Sequence, residues 1–497
     1  MSAENDAAEE EEASTTNAVP CVSCEECNRD CTLCPGSDNM WCSRLNKCAM
    51  VNILILLVVV VHFTLSAQVN QHALKSEPRQ SDDLCKNPAC DCIQESQGWS
   101  IECSCVHYQP GIPKTFVLPF PVVIPTQTFS LLITKCENAV VAKSGLKMKE
   151  VIIPEWFGVH NITGNLIFNP DVVILGRNIV ISNVRRIPEL PAGILRMASS
   201  SNNVNIFQIE HVDLIDVVRS RAIFNAHIKT NFTIFSTTIL TIEENAIDVD
   251  VGDTFLIGNS SMGPLNGSNF RIYAKDVSVV NSVFNFGVGT NAFLVTADTT
   301  TFWNNNFYNK VQKHAFDVTA SMARFERNVF QTLEEEALLK VRGHTGIESI
   351  FTFQHNLIYV AQRESINPNK RISEKDSVME NNFLYCNTPS LSWFWGAAHG
   401  SNVSQLTKDF YAHFLREENH NVCLYLDERH VPKTCSIDKV ADLYNPDAAN
   451  NQIRRFANAT NAQICNYLIN ASNAVQPTVI IIVQIFCFYL TALVMQY

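Results

Sequence analysis

The sequence predicts an all-β solenoid, in which parallel coils of about 23 residues stack on one another and disulfides close both ends. Three observations support this prediction. A short apolar pattern recurs at a nearly constant step, apolar and polar residues alternate within each copy, and ten cysteines flank a long middle region that contains none. Apolar residues make up 46% of the chain and charged residues 17%, so there is enough apolar material for a core.

The repeat is marked by a small residue followed by a large apolar one. These pairs are Ala222-Ile223, Ala246-Ile247, Ala292-Phe293, Ala315-Phe316 and Ala337-Leu338, with Asn269-Phe270 filling the one missing place. Each pair opens a run with a period of two, which is typical of a strand with one buried face. A step of about 23 residues then returns the chain to the same azimuth.

These residues resemble right-handed parallel β-helices of the pectin-lyase-like kind, over roughly residues 137–385. Ala246–Val249, Ala292–Val295 and Ala315–Val318 alternate strictly, and the predicted core is Phe, Val and Ile. The resemblance implies coils of two or three strands, with Asn side chains stacked inside a turn. We expect such a ladder from Asn306, Asn328 and Asn356, because a buried amide is tolerable when it bonds to its neighbour in the next coil.

The alternative fold is a leucine-rich-repeat solenoid. Phe325–Ala337 has the spacing of the LxLxxNxI strand, and the spacing of Cys85, Cys90, Cys92 and Cys103 is similar to the N-terminal cysteine cap of extracellular leucine-rich repeats. Against this alternative, the alternating strands lack the LxxLxxL pattern that such a repeat needs.

An apolar run near the amino terminus predicts a signal peptide over residues 40–67. The run, Ile53–Leu65, follows two basic residues and ends in Ser66-Ala67; at about 13 residues it matches a signal sequence, whereas a spanning helix needs about 20. An uncleaved signal anchor is the alternative. Residues 1–39 carry ten carboxylates and one arginine. They form an acidic, cysteine-rich extension, either a long leading region of the signal or a segment that the functional form lacks.

A second apolar run, Val479–Met495, predicts a glycosylphosphatidylinositol (GPI) attachment signal, with residues 471–497 as the removed propeptide. Small residues precede a short polar spacer and the apolar tail, which is the order such a signal requires. Asn470 is the expected attachment residue, with Ser472 and Asn473 as alternatives. A plain C-terminal transmembrane helix is the competing interpretation, since 17 apolar residues are at the lower edge of spanning length.

The ten cysteines between these two ends predict disulfide-linked caps over residues 68–136 and 386–470. They are Cys85, Cys90, Cys92, Cys103, Cys105 and Cys136 in the first cap, and Cys386, Cys423, Cys435 and Cys465 in the second. The terminal coils of a solenoid otherwise expose apolar faces and unpaired edges. The spacing does not fix the connectivity.

Seven Asn-x-Ser/Thr sequons all follow the predicted signal peptide, as N-glycosylation in the secretory pathway requires. We expect glycans at Asn161, Asn231, Asn259, Asn266, Asn402 and Asn458, while the seventh sequon is Asn470.

Charge and motifs exclude several classes of function. Most of the net charge of −12 lies in the acidic extension, so the remaining chain is nearly neutral and has no stripe of Lys and Arg. A nucleic-acid partner is therefore not expected. The chain has no Gly-rich phosphate loop, nucleophile elbow or paired-histidine zinc motif, and we expect no cofactor and no metal.

Three carboxylates are weak candidates for catalysis. Many proteins of the resembled superfamily cleave acidic polysaccharides with carboxylates on an outer sheet, and Asp248, Asp250 and Asp317 are expected to point outward from alternating strands. The repeat places Asp317 three coils from Asp248, about 14 Å away, which is too far for a glycosidase pair. Asp248 and Asp250 are expected about 7 Å apart. A cross-coil ion pair of Asp248 with Arg271 is the simpler interpretation.

The expected function is that of a GPI-anchored glycoprotein at the extracellular face of the plasma membrane. Its partners are then the outer leaflet, reached through the lipid anchor, and an extracellular protein or glycan bound by the solenoid in adhesion or cell-surface reception. The alternative is a cell-surface polysaccharide lyase or glycoside hydrolase.

Overall fold

The chain forms a parallel β-helix of about ten turns, which confirms the predicted fold class over the leucine-rich repeat. The computed structural model describes residues 84–107, 114–120, 127–143, 154–170, 172–174, 176–196, 204–345, 349–369, 372, 377–385, 404–426 and 432–436. All of these lie in one compact unit, Gln80–Tyr497. The predicted extension, signal peptide and GPI signal lie outside the described residues.

Each coil contributes to three parallel sheets, which we call sheets A, B and C. Sheet A contains β8 (Leu195–Arg196), the first halves of β10 (Ile223–Phe235), β12 (Ile247–Gly258), β14 (Phe270–Val280), β16 (Phe293–Trp303) and β18 (Phe316–Glu326), and β20 (Val341–Arg342). Sheet B contains β2 (Gly98–Ser104), β4 (Thr128–Thr134), the first halves of β6 (Trp156–Phe168), β7 (Asn178–Leu190) and β9 (Val204–Val218), the second halves of β10, β12, β14, β16 and β18, and β21 (Ile350–Gln354) and β23 (Ser377–Val378). Sheet C contains β3 (Thr115–Phe120), β5 (Asn138–Lys143), the second halves of β6, β7 and β9, β11 (Thr238–Ile242), β13 (Ser261–Met262), β15 (Val283–Phe284), β17 (Asn306–Val311), β19 (Val329–Leu333), β22 (Leu357–Ala361), β24 (Phe383–Tyr385) and β25 (Val422–Leu426).

The predicted repeat sets the register of sheet A. Ile247, Phe270, Phe293 and Phe316 stand opposite one another in consecutive coils. The placement of Ala337-Leu338 at the start of the next strand is wrong, since both residues are buried in a turn and β20 begins only at Val341. In this turn the amide of Val341 donates to the carbonyl of Leu338, so the chain cannot also continue the ladder there.

Phenylalanine columns fill the inside of the coils. In sheet C, Phe284, Phe307 and Phe330 stack with centroid distances of 4.8 and 4.9 Å, and in sheet B Phe302 stacks on Phe325 at 5.0 Å. Since neighbouring strands of a sheet are about 4.8 Å apart, one ring per coil produces a continuous aromatic stack. The period of two in the sequence therefore translates directly into this core.

A polar ladder runs inside the tight turn between sheets B and C. Its members are Thr237, Ser260, Ser282, Asn305, Asn328, Asn356, Asn382 and Asn421, all buried. Each of the first seven accepts this arrangement by donating its backbone amide to the side-chain oxygen of the next member. The predicted member Asn306 is wrong. Because Asn304 adopts a left-handed φ of 53°, the following residue, Asn305, points into the coil, while Asn306 begins β17.

Antiparallel strands close both ends of the parallel ladder. β1 (Cys90–Glu95) pairs with β2 at one end, and β26 (Pro432–Ser436) pairs with β25 at the other. The only described α-helix, α1 (Gln405–Phe414), precedes β25, and single turns of 3-10 helix lie at Leu84–Lys86, Cys105–His107 and Glu417–Asn419. A strand edge at the end of a solenoid is a template for aggregation, and an antiparallel neighbour covers it.

Disulfides secure the first end, as predicted. Their pairings are Cys85–Cys92, Cys90–Cys103 and Cys105–Cys136. In the second cap Cys423 is disulfide-bonded, and its backbone stands opposite Cys435 in the β25–β26 pair. Cys386 and Cys465 lie outside the described residues.

Candidate functional site

The outer face of sheet A carries the residues with the most varied chemistry. Val249 is buried in the coil, which turns Asp248 and Asp250 outward on the same face of β12. Two residues along one strand span about 7 Å, which is the separation expected from the sequence. Both carboxylates therefore face the same solvent region.

These two aspartates line a shallow groove of about 350 Å³. Its other side chains come from the neighbouring coils: Asn225 and His227 on β10, and Tyr273 on β14. The register explains the convergence, since His227, Asp250 and Tyr273 stand opposite one another in three consecutive strands. The groove thus combines acids, an imidazole, an amide and an exposed aromatic ring.

A β-bulge forms one wall of the groove. Ile223 pairs with Ile247 and Ala226 with Val249, so two residues of β10 lie against the single residue Asp248. One of the two is Asn225, whose φ of 48° is left-handed. A bulge redirects side chains relative to a regular strand, and here it brings the Asn225 amide to the groove.

Burial and charge act in opposite directions on Asp248. Only 13% of its side chain is exposed, and this desolvation raises the pKa of its carboxyl, because the charged form loses hydration. The guanidinium of Arg271, 3.9 Å away in the next coil, offsets part of this effect and lowers the pKa. The expected cross-coil pair is therefore present, but it is long. Asp248 is a carboxyl group that holds its proton to a higher pH than an exposed aspartate.

Asp250 has a different environment. Its side chain is 64% exposed, and its Oδ2 lies 3.0 Å from Nδ1 of His227. A hydrogen bond between an imidazole and a carboxylate fixes the ring orientation and leaves the second ring nitrogen free for another partner. The pair Asp248 and Asp250 thus joins a buried acid to an exposed, hydrogen-bonded one.

Asp317 does not belong to this groove. The column Asp248, Arg271, Leu294 and Asp317 runs through four consecutive coils, which puts three strand spacings, about 14 Å, between the two aspartates. Asp317 instead accepts from Arg342 at 2.9 Å and lies 3.5 Å from the Lys340 ammonium. These contacts assign Asp317 to a cross-coil ion-pair cluster.

The described sequons lie at several places on the coils. Asn161 and Asn259 are exposed at left-handed turns, and Asn266 is exposed in the turn before β14. Asn231 is half-buried within β10. Asn402, Asn458 and the three candidate GPI attachment residues, Asn470, Ser472 and Asn473, lie outside the described residues.

Sequence reasoning missed three of the five groove residues, although the repeat contained a signal for two of them. His227 lies 23 residues before Asp250, and Tyr273 lies 23 residues after it. Asn225 could not be found this way, because the extra residue of the bulge breaks the step.

Within the described ranges, no group of three or more His, Cys, Asp or Glu side chains is arranged to hold a metal ion. Among the same residues, no helix has the length and apolar character needed to cross a bilayer. Comparison with protein-family models, curated proteins and solved structures finds no match to this chain.

Proposed function

We propose that the chain is a cell-surface glycoprotein with a β-helix of the pectin-lyase-like kind, tethered by a GPI anchor, and that the groove on sheet A binds a carbohydrate ligand. The observation that carries this proposal is the convergence of Asn225, His227, Asp248, Asp250 and Tyr273 around one depression. Binding sites typically combine a concave surface with a few convergent polar groups, as here.

The chemistry of the groove suits a saccharide. Carboxylates accept hydrogen bonds from sugar hydroxyls, while the Asn225 amide and the His227 ring can both donate and accept. Tyr273, whose side chain is among the exposed large hydrophobic ones at 47%, offers an apolar ring beside these groups. The two carboxylates disfavour a polyanionic ligand at this point, so a neutral or weakly charged glycan fits best.

The disulfides support an extracytoplasmic location. Bonds such as Cys105–Cys136 persist in oxidising compartments and are rare in the cytosol. Exposed sequon residues such as Asn161 and Asn259 lie at turns between sheets B and C, away from the outer face of sheet A. Glycans at these turns would leave the groove accessible.

The ligand is tested with the purified full-length protein on a panel of neutral and acidic polysaccharides. We expect binding that weakens at least about tenfold in Asp250→Asn and in Tyr273→Ala, because each removes a direct contact. Asp317→Asn is the matched control, since it removes a carboxylate from the same sheet outside the groove. Equal weakening in the control, or no glycan binding at all, would contradict the proposal.

The anchor is tested on cells that express the full chain. Phosphatidylinositol-specific phospholipase C should release the protein into the medium, and Asn470→Gln, combined with changes at Ser472 and Asn473, should prevent surface retention. Protein that stays in the membrane after the enzyme treatment argues for a transmembrane tail.

Glycoside hydrolysis is the second candidate function, and the environment of Asp248 favours it. A buried carboxyl with a raised pKa can act as a general acid, and a second carboxylate about 7 Å away lies within the range of about 6.5–9.5 Å that inverting glycosidases use. In this scheme Asp248 protonates the leaving oxygen and Asp250 activates a water. Release of reducing ends by the native protein, lost in both Asp248→Asn and Asp250→Asn, would establish hydrolysis; unchanged polysaccharide would leave a binding site.

A further inference from the structure

A second chemically distinct surface lies on the outer face of sheet C. Four outward residues in consecutive coils, Tyr308, Gln331, Tyr359 and Tyr385, form what we call the tyrosine row. Their register follows from the buried residues just before them, since Phe307, Phe330, Ile358 and Leu384 stand opposite one another. From Tyr308 to Tyr385 the row crosses three strand spacings, about 14 Å.

The row continues toward the amino-terminal coils as an aromatic and amide surface. Asn285 precedes Tyr308 in the same column, and its neighbour Phe286 is 63% exposed, while Tyr308 is 55% exposed. Large aromatic side chains are seldom this exposed without a function, and here they are adjacent. Single exposed apolar residues are ordinary, but an aligned series of them is not.

Fixed side chains and low charge characterise this surface. Tyr359 and Tyr385 stack with ring centroids 4.7 Å apart, and the Asn285 amide donates to Ser261 Oγ at 2.9 Å. Along the strands β11, β13, β15, β17, β19, β22 and β24, the one charged side chain is Lys310, which is paired with Glu334 at 3.3 Å. Sheet A, in contrast, carries several acids and bases on its outer face.

We propose that the tyrosine row, with Asn285 and Phe286, binds a linear neutral glycan that runs along the axis of the coils. Aromatic rings pack on the apolar faces of sugar rings, and amides such as those of Asn285 and Gln331 bond to hydroxyls. A repeating ligand suits a surface that itself repeats at about 4.8 Å per coil.

Other ligand classes fit the row less well. Nucleic acid bases also stack on aromatic rings, but their phosphates need several cations, and the row has one lysine that is already paired. An extended peptide gains affinity by adding to an open sheet edge, whereas here every backbone group of the face is used within sheet C. A globular protein needs about 800 Å² per partner, and a strip two to three side chains wide is too narrow for that.

The proposal is tested with the full-length protein on immobilised linear neutral polysaccharides, with polygalacturonate as the acidic comparison. We expect the double variant Phe286→Ser/Tyr308→Ser to bind the neutral polymer about tenfold more weakly, or less, since two aromatic contacts are lost. Both side chains are exposed, so the fold should remain. Ile350→Ser is the matched control, because Ile350 is 42% exposed on sheet B.

The groove and the row are separated by a third variant. Tyr273→Ala should leave binding at the row unchanged, so loss in Tyr273→Ala alone assigns the glycan to the groove and overturns the row proposal. The proposal also fails if the double variant binds as tightly as the native protein. Capture of a proline-rich peptide, with no neutral glycan bound, would assign the row to a peptide ligand and equally overturn it.

Discussion

Replacing Asn328 by alanine should destabilise the β-helix far more than an ordinary polar substitution. Asn328 is fully buried in the polar ladder. Its Oδ1 accepts from the backbone amide of Asn305 at 3.0 Å and from the Asn305 side chain at 3.1 Å. Its Nδ2 donates to the carbonyl of Phe302 at 2.9 Å and to Asn356 Oδ1 at 3.1 Å. The side chain thus connects three coils.

The expected cost follows from the partners that alanine leaves unbonded. Two donors of Asn305 lose their acceptor and the carbonyl of Phe302 loses its side-chain donor, whereas Asn356 Oδ1 still accepts from the backbone amide of residue 328. Each buried polar group left without a partner costs about 1–3 kcal/mol. Allowing for a water in the vacated space, we expect a loss of about 3–6 kcal/mol in the free energy of unfolding.

Urea denaturation of the full chain, with disulfides intact, measures this loss, and hydrogen exchange locates it. The matched control is Asn306→Ala, a neighbouring asparagine at the start of β17 that lies outside the ladder; it should cost less than about 1 kcal/mol. Asn328→Ser should fall between the two, because the ladder already uses serine at positions 260 and 282. A cost below about 1 kcal/mol for Asn328→Ala, or equal costs for both alanine variants, would falsify the assigned role of the ladder.

Three further predictions concern other parts of the molecule. Burial raises the pKa of Asp248 above its ordinary value of 3.8, so the folded state binds that proton more tightly than the unfolded state, and stability falls as pH rises from 3.8 through the raised pKa. Asp248→Asn should therefore melt higher than the native protein at pH 7 and lose this advantage near pH 3; a lower melting temperature at pH 7 would contradict the sign. Gly263→Ala should cost at least about 3 kcal/mol in urea denaturation, because an added Cβ would lie 1.8 Å from the carbonyl oxygen of Leu240; a stable alanine variant would show that this contact relaxes. Replacing Cys105 and Cys136 by alanine removes a crosslink over 31 residues and should cost about 3–4 kcal/mol, whereas an unchanged denaturation midpoint would show that the first cap does not depend on it.

The sequence was sufficient to predict the coil because one period is repeated many times. A single alternating run such as Phe293–Val295 identifies a strand, but its equivalents at a step of about 23 residues also identify the strands on either side of it. Register, which is ordinarily hard to derive, then follows from simple addition. The prediction failed where the step changes, as at Ala337-Leu338, because a turn of different length is invisible to a periodic pattern.

The ladder shows a second limit of sequence reasoning. The choice between Asn305 and Asn306 depends on the left-handed backbone of Asn304, whose φ is 53°. Asparagine tolerates this conformation at little cost, so a run of three asparagines gives no preference for which one bends the chain. The structure resolves this by the hydrogen bonds of the turn, which only the buried amide of Asn305 completes.

The groove on sheet A lies where the coil departs from its own repeat, and this location is itself an argument for function. Regular coils present columns of like residues, which stabilise the stack but recognise nothing in particular. The bulge at Asn225 adds a residue opposite Asp248, and neighbouring coils place His227 and Tyr273 beside Asp250. A bulge interrupts the ladder and leaves one residue unpaired, so it lowers the regularity that holds the coils together. The raised pKa of the Asp248 carboxyl is a second local cost, since burial penalises its charged form. Two unfavourable features at one site, surrounded by coils that avoid both, are more readily explained by a ligand than by the stability of the fold.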